Sequence, residues 1–166
     1  MTITRKTFNH KTFNGNLTPQ KTICIKGINP LIENKLEKNN IEKIIQYLEH
    51  KPNQPVRVRK NEIDYTFSLA KMYSRNPGYV YVKKNKIYIG KISPKGVISF
   101  WKIEIEEEIK TTKELNELID DLENSIITYG RKTGRCSRCN KKLKRKESIE
   151  RGIGPECGNW TYKNKN

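Results

Sequence analysis

The spacing of apolar residues over positions 33–50 predicts an amphipathic helix. Isoleucine and leucine recur there every three or four residues, which places them on one side of a helix. These apolar residues are Leu36, Ile41, Ile44, Ile45 and Leu48. Pro52 and Pro55 follow, and the helix is expected to end before them because proline cannot continue a helix.

Apolar and polar residues alternate over positions 56–67, and β-branched or aromatic runs fill most of positions 79–101; both patterns predict strands. The predicted strands are 56–60, 63–67, 79–83, 86–92 and 97–101, and the last can extend to 105. After the second of them we expect a helical turn that ends at Pro77-Gly78. Polar turns at Lys84-Asn85 and at residues 93–96 separate the last three strands, which therefore form a meander.

A second helix is predicted over residues 112–129. Its apolar stripe consists of Leu115, Leu118, Ile119, Leu122 and Ile126. Thr111 or Thr112 can cap its first turn, and Gly130 can end it. Together these elements predict an α+β fold, in which a small antiparallel sheet packs against two helices.

Composition divides the chain into three parts. Residues 1–30 form a basic N-terminal arm, residues 31–129 the α+β core, and residues 130–166 a basic, cysteine-rich module. The arm repeats the string Lys-Thr-Phe-Asn, which predicts a basic tail or a hairpin. Alternatively, the arm contacts nucleic acid, with Phe8 and Phe13 stacked on bases.

Charge is abundant and uneven. The chain has 34 Lys and Arg residues against 18 Asp and Glu residues, a formal net charge of +16. Residues 103–123 contain nine acids and two bases, a net charge of −7, so the remaining residues carry +23. The acidic stretch is expected to be a solvated helix face and strand edge, or a brake on the basic surface. Such a basic excess favours a polyanionic partner.

The chain has no features of a membrane or secreted protein. It has no run of about 18 apolar residues and no apolar segment near its first residue that would indicate a signal peptide. We therefore expect no membrane partner and a reducing cytoplasm. In that compartment cysteines are metal ligands or free thiols more often than disulfides.

Three of the four cysteines have the spacing of a zinc module. Cys136 and Cys139 form a Cys-x-x-Cys pair, which lets one tight turn aim both thiolates at one ion. Cys157 follows after 17 residues, as in the second half of a structural zinc site. The pattern predicts a zinc knuckle in which Cys136, Cys139 and Cys157 bind Zn²⁺.

A closed structural zinc site needs a fourth ligand, which this segment does not identify. Candidates from elsewhere in the chain are Cys24, His10 and His50. Candidates within the module are water and the carboxylates of Glu147, Glu150 and Glu156. The alternative is a metal-free knuckle with buried thiols.

The segment 129–158 resembles an uncharacterised zinc-finger-like family of small phage and prophage proteins. The resemblance rests on Thr133-Gly134, the Cys-x-x-Cys pair, Leu143, Ser148 and the string Gly152-Ile153-Gly154-Pro155-Glu156-Cys157. Asn140 and Lys141 stand where the family usually has Gly and Arg, and Asn also tolerates a left-handed backbone. The resemblance implies a viral protein with a metal module, acting in the host cell cytoplasm. It implies no activity.

Between residues 131 and 146 the chain has nine bases and no acid. They are Arg131, Lys132, Arg135, Arg138, Lys141, Lys142, Lys144, Arg145 and Lys146. On a metal-folded scaffold such a stretch can neutralise several phosphates, so we expect these residues to bind DNA or RNA. Tyr129, Trp160 and Tyr162 flank the stretch, where they either stack on bases or pack the module.

We expect a non-enzymatic nucleic-acid-binding protein. The alternative is an accessory or inhibitor protein that docks on a host or viral machine, such as a polymerase, a nuclease or a defence complex, that itself carries nucleic acid. Gly78-Tyr79-Val80 and Tyr88-Ile89-Gly90 resemble the paired motifs of one nuclease superfamily. The helix that should follow them is replaced by a turn and another strand, so a nuclease is not favoured.

Overall fold

A computed structural model describes residues 34–158 of the 166-residue chain, and these residues lie in one compact unit. The N-terminal arm with His10 and Cys24 lies outside the described residues, as do Trp160 and Tyr162. The elements are α1 (Lys38–Glu49), β1 (Val56–Lys60), β2 (Ile63–Leu69), β3 (Val80–Lys84), β4 (Ile87–Ile92), β5 (Ile98–Phe100), α2 (Ile105–Asp120), α3 (Leu122–Thr133), α4 (Lys146–Arg151) and α5 (Pro155–Gly158).

The five strands form one antiparallel sheet in the order β1-β2-β3-β4-β5, which confirms the predicted α+β fold. Both edges of the sheet are partly covered. Beside β5, Leu36 N donates to Gly96 O at 2.9 Å, and Lys35 pairs with Val97. Beside β1, Arg57 N donates to Ser137 O at 2.9 Å. The cysteine module thus occupies part of an edge that would otherwise expose unpaired backbone groups.

The hydrophobic core lies between one face of the sheet and the helices. Alternate residues of β1, β2 and β3 point into it, as the period of two requires. The helices contribute the apolar faces expected from their spacing. The largest fully buried side chains are Tyr65, Phe67, Leu36, Ile44, Leu48, Ile92, Leu115, Leu118, Ile119, Val56, Val58 and Val80.

The predicted helix 112–129 is wrong in its bounds, because the structure has two helices there. α2 begins at Ile105, and a break at Asp121 (φ −107°, ψ 49°) separates it from α3. Thr111 and Thr112 do not cap a helix but are buried within α2, where Thr112 Oγ1 donates to Glu108 O at 2.8 Å. The acids of 104–108 favour a helix start rather than a strand edge, since carboxylates stabilise the positive end of the helix dipole.

Two smaller expectations also differ from the structure. β2 continues to Leu69, and residues 70–79 form turns and bends rather than a helical turn. The fifth strand ends at Phe100 and does not reach residue 105. None of the helices within residues 34–158 has the length and apolar character needed to cross a membrane.

Candidate metal centre

The structure brings Cys136, Cys139 and Cys157 together. Their three Sγ atoms all lie within 4.8 Å of one another, and none forms a disulfide. Sulfurs that bind one tetrahedral zinc ion at about 2.3 Å are about 3.8 Å apart. Small side-chain movements therefore suffice for the three thiolates to bind one metal ion.

A tight hairpin positions the first two cysteines. Leu143 N donates to Gly134 O at 2.8 Å and Cys136 N to Lys141 O at 2.9 Å, which pairs the two arms of the hairpin. At its tip, Asn140 N donates to Cys136 O at 2.9 Å. Asn140 has φ 61°, so it adopts the left-handed conformation that asparagine tolerates better than most residues.

Backbone N–H groups point at the first thiol. Gly154 N donates to Cys136 Sγ at 3.4 Å. Burial alone would raise the pKa of the Cys136 thiol, but N–H groups of Gly154, Cys139 and Arg138 outweigh burial and lower it. Such N–H···S contacts are what a metal-bound thiolate needs from its surroundings.

The third cysteine is in a different electrostatic environment. Burial, followed by the proximity of the Cys136 sulfur, raises the pKa of the Cys157 thiol to about 12 in the metal-free chain. Two neighbouring thiolates repel each other unless a cation lies between them. A metal ion that binds all three sulfurs supplies that cation and displaces the proton from Cys157.

Cys157 reaches the site through two short helices, the first of which packs on α3. Gly152 ends α4 with φ 69°, and Cys157 then lies in α5, where its N donates to Gly154 O at 3.0 Å. A Cβ atom on Gly130 would lie 2.0 Å from the Cα of Gly152, so α3 and the end of α4 touch through their backbones. Gly130 was expected to end the helix, but α3 continues to Thr133 and Gly134 (φ 65°) ends it.

Arg138 does not lie on the surface, which corrects its assignment to the phosphate-binding set. It is 2% exposed, and its guanidinium stacks 5.0 Å from the ring centre of Tyr47. Its Nη2 donates to Lys51 O at 3.3 Å, while Nη1 has no hydrogen-bond partner among residues 34–158. Burial lowers the pKa of Arg138, whereas Tyr47 and the thiolates of Cys157 and Cys136 raise it. Its positive charge can therefore offset the charge of the thiolates.

The other eight bases of the stretch are exposed. They are Arg131, Lys132, Arg135, Lys141, Lys142, Lys144, Arg145 and Lys146. A cavity of about 280 Å³ lies beside the cysteines, and Lys141, Lys142, Lys144 and Arg145 line it together with all three. The cysteine cluster and four of these eight bases thus border one cavity, which Glu156 also lines.

The candidates for a fourth ligand have different outcomes. Among residues 34–158, no histidine or carboxylate ligand atom joins the three sulfurs, which leaves out His50, Glu147, Glu150 and Glu156, although Glu156 does line the cavity beside the cysteines. His10 and Cys24 lie outside the described residues. Instead, Gln54 Oε1 lies 3.8 Å from Cys157 Sγ. No sequence signal could have indicated Gln54, since it precedes β1 and is far from the module along the chain.

Tyr129, which flanks the basic stretch and lies within residues 34–158, packs the module. Tyr129 is buried, and its hydroxyl lies 3.0 Å from Asn140 Oδ1 at the tip of the hairpin. Tyr129 is therefore not available to stack on a base in this structure. It joins α3 to the loop that carries Cys136 and Cys139.

Comparisons with known proteins find one family. The profile of a family of unknown function, DUF6011, matches residues 127–158. The match begins inside α3 and ends with α5, so it includes the three cysteines and the contact between Gly130 and Gly152. No curated protein and no solved structure is detectably similar to the chain.

Proposed function

We propose that this chain is a phage nucleic-acid-binding protein without enzymatic activity, which acts in the host cell cytoplasm. A zinc ion folds its C-terminal module, and the exposed bases of that module contact phosphates. The observation that carries the proposal is the cavity shared by the three cysteines and four bases. This shared cavity supports the proposal that a bound metal ion holds the positively charged side chains at fixed positions.

Zinc is the metal that this donor set fits best. Thiolates are soft ligands that select Zn²⁺, Cu(I) or iron–sulfur clusters over Mg²⁺ and Ca²⁺. The hairpin with N–H···S contacts and the single compact group of sulfurs support one tetrahedral ion. Cys136, Cys139 and Cys157 would hold that ion, and its role would be structural.

Phosphate contacts follow from the positions of the bases. Lys141, Lys142, Lys144, Arg145 and Lys146 are all exposed. The hairpin orders the backbone of Lys141 and Lys142, and α4 begins at Lys146, so contacting a polyanion costs little further backbone entropy at these positions. Contacts to phosphate carry no base information, so binding to DNA or RNA should depend little on sequence.

Replacing these five residues with Gln tests the proposal. Affinity for any DNA or RNA should fall, and the slope of log K against log salt should decrease by roughly 3.5 to 4.5 units because each lost contact removes about 0.7–0.9. Fluorescence anisotropy at several salt concentrations measures both quantities.

A control variant carries the same change in net charge on another surface. Lys35, Lys38, Lys43, Lys110 and Lys113 are exposed near or on α1 and α2, and replacing them with Gln should leave the slope nearly unchanged. Equal behaviour of the two variants, or no nucleic-acid binding at all, would overturn the proposal. It would favour a protein that docks on a host or viral machine.

A further inference from the structure

A second surface with a different chemistry lies on the face of the sheet opposite the core. Residues directly opposite each other in antiparallel strands point to the same side. The pairs Thr66–Lys83, Ser68–Tyr81, Tyr81–Lys91 and Lys83–Tyr88 therefore share one side. We call this side the open sheet face, and it consists of Thr66, Ser68, Tyr81, Lys83, Tyr88 and Lys91. None of the six is buried, whereas the alternate residues Phe67, Val80 and Val82 are.

We propose that the open sheet face binds single-stranded nucleic acid, with bases stacked on its tyrosines and phosphates near its lysines. The partner class rests on the proposed function, but the site is separate from the cysteine module. Three observations carry the proposal: the arrangement of the aromatic rings, the distribution of charge, and the exposed loop beside the face.

The aromatic rings on the open sheet face, with Tyr79 beside it, are held in place by contacts with their neighbours. Tyr81 and Tyr88 meet edge to face, with ring centres 6.1 Å apart and planes at 64°. Lys91 Nζ lies 5.1 Å from the ring centre of Tyr79 and 3.0 Å from Asn76 Oδ1. Because strands and these contacts hold the rings, a base that stacks on them meets a surface already in place.

The charge on this part of the chain has one sign. Residues 65–103, which extend from β2 past the end of β5, contain eight Lys or Arg residues, eight aromatic residues and no acid. The acids of α2 lie on the other side of the sheet. Lys84, which faces the core opposite Tyr65, has its Nζ 2.6 Å from Glu107 Oε1 of α2. By the same register Arg59 and Asp64 also point to the side of the open sheet face, where Arg59 Nε lies 2.6 Å from Asp64 Oδ1. With that acid paired, Lys83 and Lys91 give the open sheet face a net positive charge.

The loop between β2 and β3 extends this surface. Tyr73 is fully exposed and Met72 is 82% exposed, although both are large side chains that usually avoid water. Lys71 and Arg75 are exposed in the same loop. Asn76 Nδ2 donates to the Tyr81 hydroxyl at 3.5 Å, which ties the loop to the open sheet face.

These features favour a single strand over the other occupants of an exposed sheet face. A second copy of the chain would bring like charges together, which costs free energy. A duplex keeps its bases stacked on each other and has none to offer to a tyrosine ring. A single strand offers both unstacked bases and phosphates, and so uses the rings and the lysines together.

Paired substitutions of Tyr81 and Tyr88 test the proposal. In Tyr81→Leu/Tyr88→Leu the strands keep large apolar side chains but lose both rings. Affinity for oligothymidylate and oligouridylate should fall at least about tenfold, because one base–aromatic stack contributes about 1–3 kcal/mol. Affinity for a blunt duplex and the salt slope should stay the same, since no cation is removed. Tyr81→Phe/Tyr88→Phe should bind like the unmodified chain.

The controls separate this inference from the proposed function. Thermal melts of the Leu and Phe variants establish that both are folded. If the Leu variant is folded and still binds oligothymidylate normally, the open sheet face is not the site. If it instead dissociates a dimer in sedimentation experiments, a second copy occupies the face. In both cases the variant with five Gln residues in the module can still show a smaller slope of log K against log salt. The proposed function is therefore tested independently of the open sheet face.

Discussion

The sheet and the cysteine module are stabilised in different ways. The core cluster contains nineteen buried hydrophobic residues from strands and helices. The module's cluster contains four, Cys136, Leu143, Ile153 and Cys157, of which two are cysteines. A buried aliphatic side chain contributes about 1.5–3 kcal/mol, while ordering one residue costs about 1–2 kcal/mol. Apolar packing can therefore fold the core, and we expect the module to depend on a metal ion bound by its thiolates.

The helix α3 belongs to both regions. Leu122 and Ile126 pack in the core cluster, while Gly130 touches Gly152 of the module. The boundary expected between residues 129 and 130 falls inside this helix. Loss of the module should therefore loosen the end of α3 but leave its first turns in the core.

Removal of the metal should have the largest effect, because it should unfold the module and leave the sheet folded. We expect about one zinc ion per chain, and Cys136→Ser or chelation should remove it. Hydrogen exchange should then become fast over residues 136–158 and remain slow in β2, β3 and β4, because only the module depends on the ion. Elemental analysis and exchange mass spectrometry measure the two effects.

Two outcomes would contradict this expectation. Untagged protein that contains no metal and has three freely titratable thiols in the module would mean that the knuckle is metal-free. Unchanged protection of residues 136–158 in Cys136→Ser would mean that the ion does not stabilise the module. Cys24→Ser provides a further measurement, since loss of zinc in this variant would identify the fourth ligand.

Adding one methyl group at Gly130 should weaken the packing of the module on α3. The effect should be smaller than that of metal removal. In an exposed helix, Ala is more favourable than Gly by about 1 kcal/mol. Here the new Cβ would lie 2.0 Å from the Cα of Gly152, and two backbones cannot yield as a flexible side chain can. Gly130→Ala should therefore lower the free energy of unfolding by about 3 kcal/mol, as measured in urea at saturating zinc.

The matched control lies one turn further along the same helix. Gly134 has φ 65° and no atom within 4 Å of the position of an added Cβ, so only its backbone conformation matters. Asparagine tolerates that conformation, and Gly134→Asn should change stability by less than about 1 kcal/mol. Equal losses in the two variants would show that the contact between Gly130 and Gly152 does not hold the module.

Prediction from sequence succeeded where a local pattern decides the structure. The strand 56–60 was predicted with its observed bounds, because Val56 and Val58 alternate with arginines over a single buried face. The cysteines were grouped correctly because the turn that joins Cys136 and Cys139 is local. Prediction failed where distant residues decide. Nothing near Arg138 in the sequence indicates that Tyr47 and Lys51 would bury it, and nothing near Gly130 indicates Gly152.

The smallest effect is expected from removing the buried guanidinium of Arg138. Its removal tests whether this positive charge supports zinc binding by the three thiolates. Three thiolates and one Zn²⁺ ion leave a net negative charge, and no carboxylate of residues 34–158 pairs with Arg138 to cancel its own. Arg138→Met removes the charge and keeps much of the apolar stem over Tyr47. Removing a supporting group of this kind typically weakens metal binding by about 10- to 100-fold. We expect a loss near the lower end, because the guanidinium does not touch the metal.

Competition with a chromogenic chelator measures that loss, and Arg138→Lys is the matched variant. Lysine keeps the positive charge near Cys136 and Cys157 but loses the planar stack on Tyr47, so its zinc affinity should stay within about threefold of the unmodified chain. Circular dichroism at saturating zinc shows whether each variant is folded. If the Met and Lys variants bind zinc equally well, packing rather than charge is what Arg138 contributes. If both lose affinity equally, the stack on Tyr47 positions the hairpin, and the thiolates obtain their compensating charge from the exposed bases that line the cavity.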